Sequence, residues 1–431
     1  MEIDIYFKFI LSFALILLAA RIGGELFERY LKQPPVLGEL VAGIIISPFA
    51  LGGLINDPII LNFATVHGAF GVSEFNVMEI ISEIAVVALL FVAGVETDVR
   101  AFLRQGLTGA LVAIGGVVLP FSFGYFITMW LAPEAGIVGW LFIGAALTAT
   151  SIGVTVRILM EMGKLQTRAG TTILVGAVID DIIGIVILSI VIGISSVAEA
   201  GGHISVAQVS LEAIRIAAIG FTVWFALLII GVKFNRYISR FLLNPFRKSG
   251  TIPILALIIG FIIAYLVTLV ELHPVVGAYV AGLMFAATDE REDIVDKTRP
   301  IMLFLAPFLF CYLGMQVDTR LLWAGAVIAA ILVIAAVLGK VVGCYIPARF
   351  AGRMSHNEGM IVGIGMVPRG EVGLIIAGAG LLAGAISRDL FGAAVAVSVI
   401  TTLVAPAMLK PFFKKHSEAV AETEAPVQEE E

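Results

Sequence analysis

The chain has 431 residues, of which 60% are hydrophobic and 14% charged, with a net charge of -6 and a mean hydropathy of +1.05. A soluble domain carries roughly 25% charged residues, so this composition excludes one. The apolar runs are continuous rather than alternating, which excludes a β-barrel and leaves an all-α polytopic membrane protein. At about 20 residues per crossing, the length allows roughly a dozen helices.

In chain order, the apolar runs predict thirteen spans near 4–28, 35–52, 77–96, 107–131, 137–161, 169–195, 206–232, 251–270, 274–288, 300–316, 320–348, 357–381 and 389–410. The first has acids before it and leads straight into further spans, so a cleavable signal peptide is not expected. Cys311 and Cys344 each fall inside an apolar run and read as small core residues rather than a disulfide or metal pair. The tail at 416–431, with Glu418, Glu422, Glu424, Glu429, Glu430 and Glu431, reads as disordered and solvated.

Alternate loops differ in basic charge. One set holds Arg29, Lys32, Arg100, Arg104, Lys164, Arg168, Lys233, Arg236, Arg240, Arg247, Lys248, Arg291, Lys297, Arg299, Arg349, Arg353, Lys410, Lys414 and Lys415, whereas the other holds only Arg320 and Arg388. The positive-inside rule makes the first set cytoplasmic, and an odd number of spans then puts the amino terminus outside and the acidic tail inside. Six bases remain within spans. Lys8, Arg21, Arg157 and Arg215 lie near span ends, where snorkelling or a structural ion pair accounts for them. Lys340 and Arg369 lie deeper.

The sixth span contains Val178-Ile-Asp180-Asp181 with apolar residues on both sides. About 12 residues into a helix, roughly 18 Å at 1.5 Å per residue, the pair sits near mid-membrane. Each carboxylate there costs about 2.5–3.5 kcal/mol. Adjacent residues project about 100° apart, so the two acids face different surroundings. A purely structural ion pair would explain one such acid more readily than two. Gly176 and Gly184 flank Asp180 and predict a close helix crossing, as do Gly339 and Gly343 around Lys340.

The fifth span carries Thr148-Ala-Thr150-Ser151 and the twelfth Val367-Pro368-Arg369-Gly370-Glu371. Pro368 predicts a helix break, because it removes a donor and clashes with the preceding turn. A weaker break is predicted at Thr150-Ser151, whose hydroxyls can instead back-bond to the helix. Two interrupted helices in corresponding halves point to a transporter built from inverted repeats, their freed carbonyls and hydroxyls being hard oxygen ligands beside the carboxylates. From about 12 Å inside its span, Lys340 reaches the midplane, where a Lys–Asp pair can be tipped by a proton or a cation. Arg369 reads as holding the break together, and Glu371 is open between supporting the site and contacting the cation. A phosphate-binding loop is absent, so ATP does not drive this chain by itself. An intramembrane aspartyl protease would need its acids on two facing helices.

Thr148-Ala-Thr-Ser151, then Arg157-Ile-Leu-Met-Glu161, Val178-Ile-Asp180-Asp181, Leu338-Gly-Lys340-Val and Pro368-Arg-Gly-Glu371 occur in this order. Together they resemble the NapA-type sodium/proton antiporters of the cation/proton antiporter superfamily, over nearly the whole chain to about Lys415. The resemblance implies an NhaA/NapA-like fold with inverted repeats and two crossing discontinuous helices, in a homodimer of thirteen-helix protomers. Dimerisation helices would fall in 1–106 and 251–316, a moving core ion-transport domain in 107–195 and 320–410, and a linker helix at 206–232. It also implies that Asp181 is the principal carrier of sodium and protons, that Asp180 pairs with Lys340, and that Thr150 and Ser151 place oxygens beside the site. Having both Asp180 and Lys340, the sequence looks like the electrogenic kind, which moves more protons than sodium ions.

The expectation is therefore a sodium or lithium/proton antiporter of the plasma (inner) membrane, not an enzyme, without cofactor or nucleic-acid partner. Transient sodium would sit at Asp181 and Asp180. Potassium/proton exchange is the nearest alternative. A ligand-gated cation efflux channel is more remote, since it would want a soluble sensing domain for which the short tail leaves no room.

Overall fold

The computed structural model describes residues 5–51, 65–66, 75–199, 206–237, 251–270, 272–319 and 326–424. Arg240, Arg247, Lys248 and Arg320, the start of the eleventh predicted span and the chain from 425 lie outside these residues, as do the side chains of Lys8 and Glu371. The helices are α1 (Ile5–Leu26, followed by a π-turn over Phe27–Leu31), α2 (Pro35–Ile46), α3 (Val77–Glu96), α4 (Val99–Arg104), α5 (Gly106–Leu131), α6 (Gly136–Ala146), α7 (Ile152–Glu161) and α8 (Arg168–Glu199). They continue as α9 (Val206–Tyr237), α10 (Ile252–Thr268), α11 (Pro274–Ala286), α12 (Arg291–Met315), α13 (Ala326–Phe350), α14 (His356–Gly365), α15 (Glu371–Leu382) and α16 (Arg388–Glu424). Eight of these are long and apolar enough to cross a membrane, and several shorter apolar helices accompany them. The chain is thus a multi-pass helical membrane protein. Its departure from pure helix among the described residues is a two-residue antiparallel ladder pairing Thr65 with Asn76 and Val66 with Phe75.

Three boundaries differ from those predicted. Helix α2 stops at Ile46 rather than reaching 52, because Pro48 disfavours helical backbone at Ser47. Helix α12 starts at Arg291, so Pro300 lies inside it. Glu292 and Asp293 in its first turn suit the positive end of the helix dipole, and an Asp293–Lys297 pair at 2.8 Å supports that turn. The tail predicted as disordered from 416 is helical to Glu424, where alanine and glutamate favour a continuing helix.

The helices pack as two groups. In one, α2 and α3 lie against α12, α1 against α2, and α11 against α3 and α10. In the other, α5 packs against α6, α8 and α13, while α13 also meets α14 and α16. Helix α9 touches α11 of the first group and α8 of the second, and α7 sits in the seam, against α2 and α3 on one side and α8 on the other. The α5–α13 crossing is one of the close joints. A Cβ on Gly343 would collide with the Gly115 carbonyl oxygen, and one on Gly339 would lie 3.1 Å from the backbone of Pro120. The expected crossing around Lys340 is therefore present. Around Asp180 it is present on one side only: a Cβ on Gly176 would lie 3.2 Å from the Val112 side chain and 3.5 Å from the Gly109 carbonyl oxygen of α5, whereas one on Gly184 would meet nothing within 4 Å. Gly343→Ala should therefore lower the melting temperature in detergent, by an overpacking cost of about 1–3 kcal/mol. Gly184→Ala should leave it unchanged or raise it, through a helix-propensity gain of up to about 1 kcal/mol.

Candidate functional site

Both interrupted spans break, and the breaks lock into one another. Helix α6 ends at Ala146 and α7 begins at Ile152, with Ser151 as N-cap accepting from the Val154 N–H at 3.5 Å. The chain leaves helix at Leu147, a few residues before the hydroxyl pair, and the Thr148 hydroxyl donates to the Ala145 carbonyl at 2.7 Å. In the second span α14 ends at Gly365 and α15 resumes at Glu371, either side of Pro368. Across the crossing, the Ser151 N–H donates to the Pro368 carbonyl at 2.9 Å, the Thr150 hydroxyl to the Met366 carbonyl at 3.3 Å, and the Thr155 hydroxyl to the Gly365 carbonyl at 3.0 Å. Each break thereby satisfies polar backbone that the other leaves without a helical partner, as a membrane interior demands.

Two buried cations complete the joint. Arg369 donates from Nε and Nη2 to the Leu147 carbonyl at 3.2 and 2.6 Å, from Nη1 to the Val367 carbonyl at 2.8 Å, and from Nη2 to the Ala336 carbonyl at 3.3 Å. It thus pins the carboxyl ends of α6 and α14, where the helix dipole is negative. Lys340 is fully buried, and its Nζ reaches the Gly116 carbonyl at 2.8 Å, the Thr148 carbonyl at 2.6 Å and both carboxylate oxygens of Asp180 at 3.2 Å. The three donors of the ammonium group thus find three partners.

Asp180 is 2% exposed and Asp181 7%, on a helix that turns about 100° between them. Asp180 faces Lys340 and the Thr150 hydroxyl, and Asp181 projects elsewhere. The structure thus brings together Asp180, Lys340, Thr150, Ser151, Pro368 and Arg369. Glu371 opens α15 immediately after the break.

Sequence reasoning missed two groups of residues. Ser398 and Thr402 of α16 donate to the carbonyls just after Pro368, that of Arg369 at 3.1 and 2.5 Å respectively. Their i,i+4 spacing in an apolar span is the signal that was there to be read. The other is Glu39 of α2, 1% exposed, whose Oε1 lies 3.6 Å from Arg157 of α7; Arg157 also meets Glu161 at 2.6 Å. Arg157 is thus a buried ion-pair residue, one of the two readings open from sequence. Of the other bases near span ends, Arg21 donates to the Leu303 carbonyl at 2.6 Å and Arg215 pairs with Glu212 at 3.3 Å.

A cavity of about 280 Å³ lies in the seam between the two helix groups. Ser151 and Leu374 line it from the side of the breaks, and Glu79, Glu83, His273 and Gln316 from the other. These last residues sit at the ends of their helices remote from the basic loops, while the Glu39–Arg157–Glu161 cluster bridges the seam toward the basic loops.

The chain matches the family described as "Sodium/hydrogen exchanger, transmembrane" over residues 12–415. Among its relatives, the high-affinity Na(+)/H(+) antiporter NhaS3 of Synechocystis sp. is 34% identical over 94% of this chain and 90% of its own length. The Na(+)/H(+)-K(+) antiporter GerN of Bacillus cereus is 34% identical over 96% of this chain and 98% of its own. Among solved structures, the sodium proton antiporter MjNhaP1 from Methanocaldococcus jannaschii matches with a TM-score of 0.64 over 95% of this chain and 98% of that one, at 16% identity, a likeness of fold.

The bonds around Arg369 also set what its loss would cost. Its partners are carbonyls rather than an acid, so Arg369→Ala should destabilise by leaving the Leu147 and Val367 carbonyls buried without donors. At about 1–3 kcal/mol for each such group, a clear fall in detergent melting temperature is expected, and an unchanged one would show that the breaks hold without the guanidinium.

Proposed function

The chain belongs to the sodium/hydrogen exchanger family, and on that premise we propose that it is a secondary active antiporter exchanging sodium or lithium for protons. The observation that carries this reading is the crossing of two broken helices beside adjacent buried acids, the first of them held by a buried lysine. Asp181 would take either a desolvated cation or a proton, and competition for one carboxylate couples the two fluxes without a separate gate. Asp180 and Lys340 form the charge partner, with the oxygens of Thr150 and Ser151 beside them. Arg369 and Pro368 frame the break, and Glu371 enters α15 next to it.

Eight long helices, three shorter continuous ones and the two broken pairs read as thirteen crossings of an NhaA/NapA-like fold. The basic loops put the amino terminus outside and the carboxyl terminus in the cytoplasm, in the plasma membrane. The group containing α1–α3 and α10–α12 would be the dimerisation scaffold of a homodimer, the group around α5, α8, α13 and α16 the moving core, and α9 the linker. With that orientation, the seam cavity reaching Ser151 opens outward. The cytoplasmic end is held by Glu39–Arg157–Glu161 and by the Lys410 side chain on the Lys32 carbonyl, the arrangement of an outward-facing state. The name of GerN keeps potassium in view as an alternative cation.

The test is proton movement in proteoliposomes with sodium, lithium and potassium compared side by side. Asp181→Asn keeps volume and removes the titrating group, so exchange should vanish while the protein still folds. Sodium-driven proton efflux by that variant at normal expression would refute Asp181 as carrier. A second expectation concerns charge. Lys340→Gln should retain exchange through Asp181 but lose its response to an imposed membrane potential, worth about 2.3 kcal/mol per charge per 100 mV. A wild type that ignores the potential, or a variant that follows it equally, would make the lysine a structural clamp.

A further inference from the structure

The six carbonyls from Gly365 to Gly370 run through the second break, and a donor of this chain lies within reach of each, Ser398 being shared between the last two. Thr155 serves Gly365, Thr150 serves Met366, Arg369 serves Val367, and the Ser151 N–H serves Pro368. The last two depend on α16. Thr402 Oγ1 lies 2.5 Å from the Arg369 carbonyl, and Ser398 Oγ lies 3.1 Å from the same oxygen and 3.4 Å from that of Gly370. A hydroxyl inside a helix ordinarily bonds back to its own preceding turn, as Thr401 does to the Val397 carbonyl at 2.7 Å. Ser398 and Thr402, one turn apart on a single face, instead reach out to another helix. Both are buried, at 6% and 4% exposure.

We propose that Ser398 and Thr402 are positioning residues for the cation site, holding the peptide of the second break in register with the first. The inference rests on the antiport reading above and deepens it. The peptide they hold is joined to the site on two sides. Toward the amino-terminal side it carries the Arg369 guanidinium, which fixes the Leu147 carbonyl where the first break begins. Toward the carboxyl-terminal side it carries Gly370, where a Cβ would lie 2.6 Å from Ser151 Oγ, so the backbone there is pressed directly against a side chain that lines the seam cavity. Releasing the Arg369 carbonyl therefore shifts both Leu147 and Ser151, the two ends of the first break, and with them the Thr148 carbonyl and Thr150 hydroxyl that lie beside Lys340 and Asp180.

The test uses the full chain, purified and reconstituted, with Thr402→Val, which keeps the shape and removes the hydroxyl, and Thr402→Ser, which restores it. Two readings are taken: the apparent KM for sodium against the maximal exchange rate, and the rise in detergent melting temperature produced by sodium. Thr402→Val should raise the apparent KM about tenfold, close to 1.4 kcal/mol, and shrink the sodium-induced rise, with both recovering in Thr402→Ser. If Thr402→Val melts lower by the same amount with and without sodium, at unchanged KM, the hydroxyl is purely structural and the proposal falls. Should that variant fail to accumulate, Ser398→Ala, which leaves Thr402 on the Arg369 carbonyl, decides by the same two readings with a smaller KM change expected. A wild type that neither exchanges nor is stabilised by sodium would instead overturn the antiport reading itself.

Discussion

Backbone polarity in a low-dielectric interior is the constraint on which the rest depends. Interrupting two helices at membrane depth frees carbonyls and N–H groups that water cannot reach there, each costing several kcal/mol if left alone. The two breaks are stable because they are complementary. Ser151 gives its N–H to Pro368, Thr150 and Thr155 give hydroxyls to Met366 and Gly365, and Arg369 returns its guanidinium to Leu147. Proline does not make a break by itself. Pro120, Pro300, Pro307, Pro347, Pro406 and Pro411 all lie inside continuous helices. What sets Pro368 apart is the set of donors waiting for the freed carbonyls.

The charges follow from the same geometry. Each half-helix ends in a negative dipole, and the two buried cations stand at those ends: Arg369 on Leu147 and Val367, Lys340 on Thr148. Lys340 is thereby held by two carbonyls before Asp180 is counted, and the acid completes its donor set. Under the antiport reading Asp181, the neighbour of this paired acid on the same helix, is the carboxylate that takes the cation or the proton. Removing Lys340 would disturb backbone and acid together, because breaking one side of a buried pair costs more than the pair itself contributes, whereas removing Arg369 would strip donors from backbone carbonyls.

Much of this was legible in the sequence because the signals were large. Two acids in an apolar span, a lysine between glycines and a Pro-Arg-Gly run each violate the composition around them. The register of the spans was also legible, since charge and apolar length set it. Less legible were residues whose chemistry looks ordinary. Ser398 and Thr402 read as back-bonding hydroxyls, and only the tertiary crossing shows that they bond elsewhere. Glu39 sits near a span start, where a solvated acid is unremarkable, yet α7 buries it against Arg157. Gly184 misled in the opposite direction, because small size permits a close approach without requiring one. The tail reads as solvated by charge, whereas helix propensity carries it on to Glu424.

The distribution of bonds also bears on what can move. The hydrogen bonds described above for Lys340, Arg369, Thr150 and Thr402 end within the second helix group or the breaks that it carries. The seam to the first group, by contrast, is spanned by the Glu39–Arg157 pair, the Val36 N–H on Glu161, the Gln166 amide on the Glu96 carbonyl and the Lys410 side chain on the Lys32 carbonyl. The site is thus tied firmly to one body and only at its edge to the other. A change of access that tore the breaks apart would expose six carbonyls to an apolar interior, whereas sliding the whole group along the seam disturbs a few polar contacts near the basic loops, where water can replace them. Alternating access at lowest cost therefore carries the acids, the lysine and both breaks together, with the cavity beside Ser151 closing as the cluster around Arg157 opens.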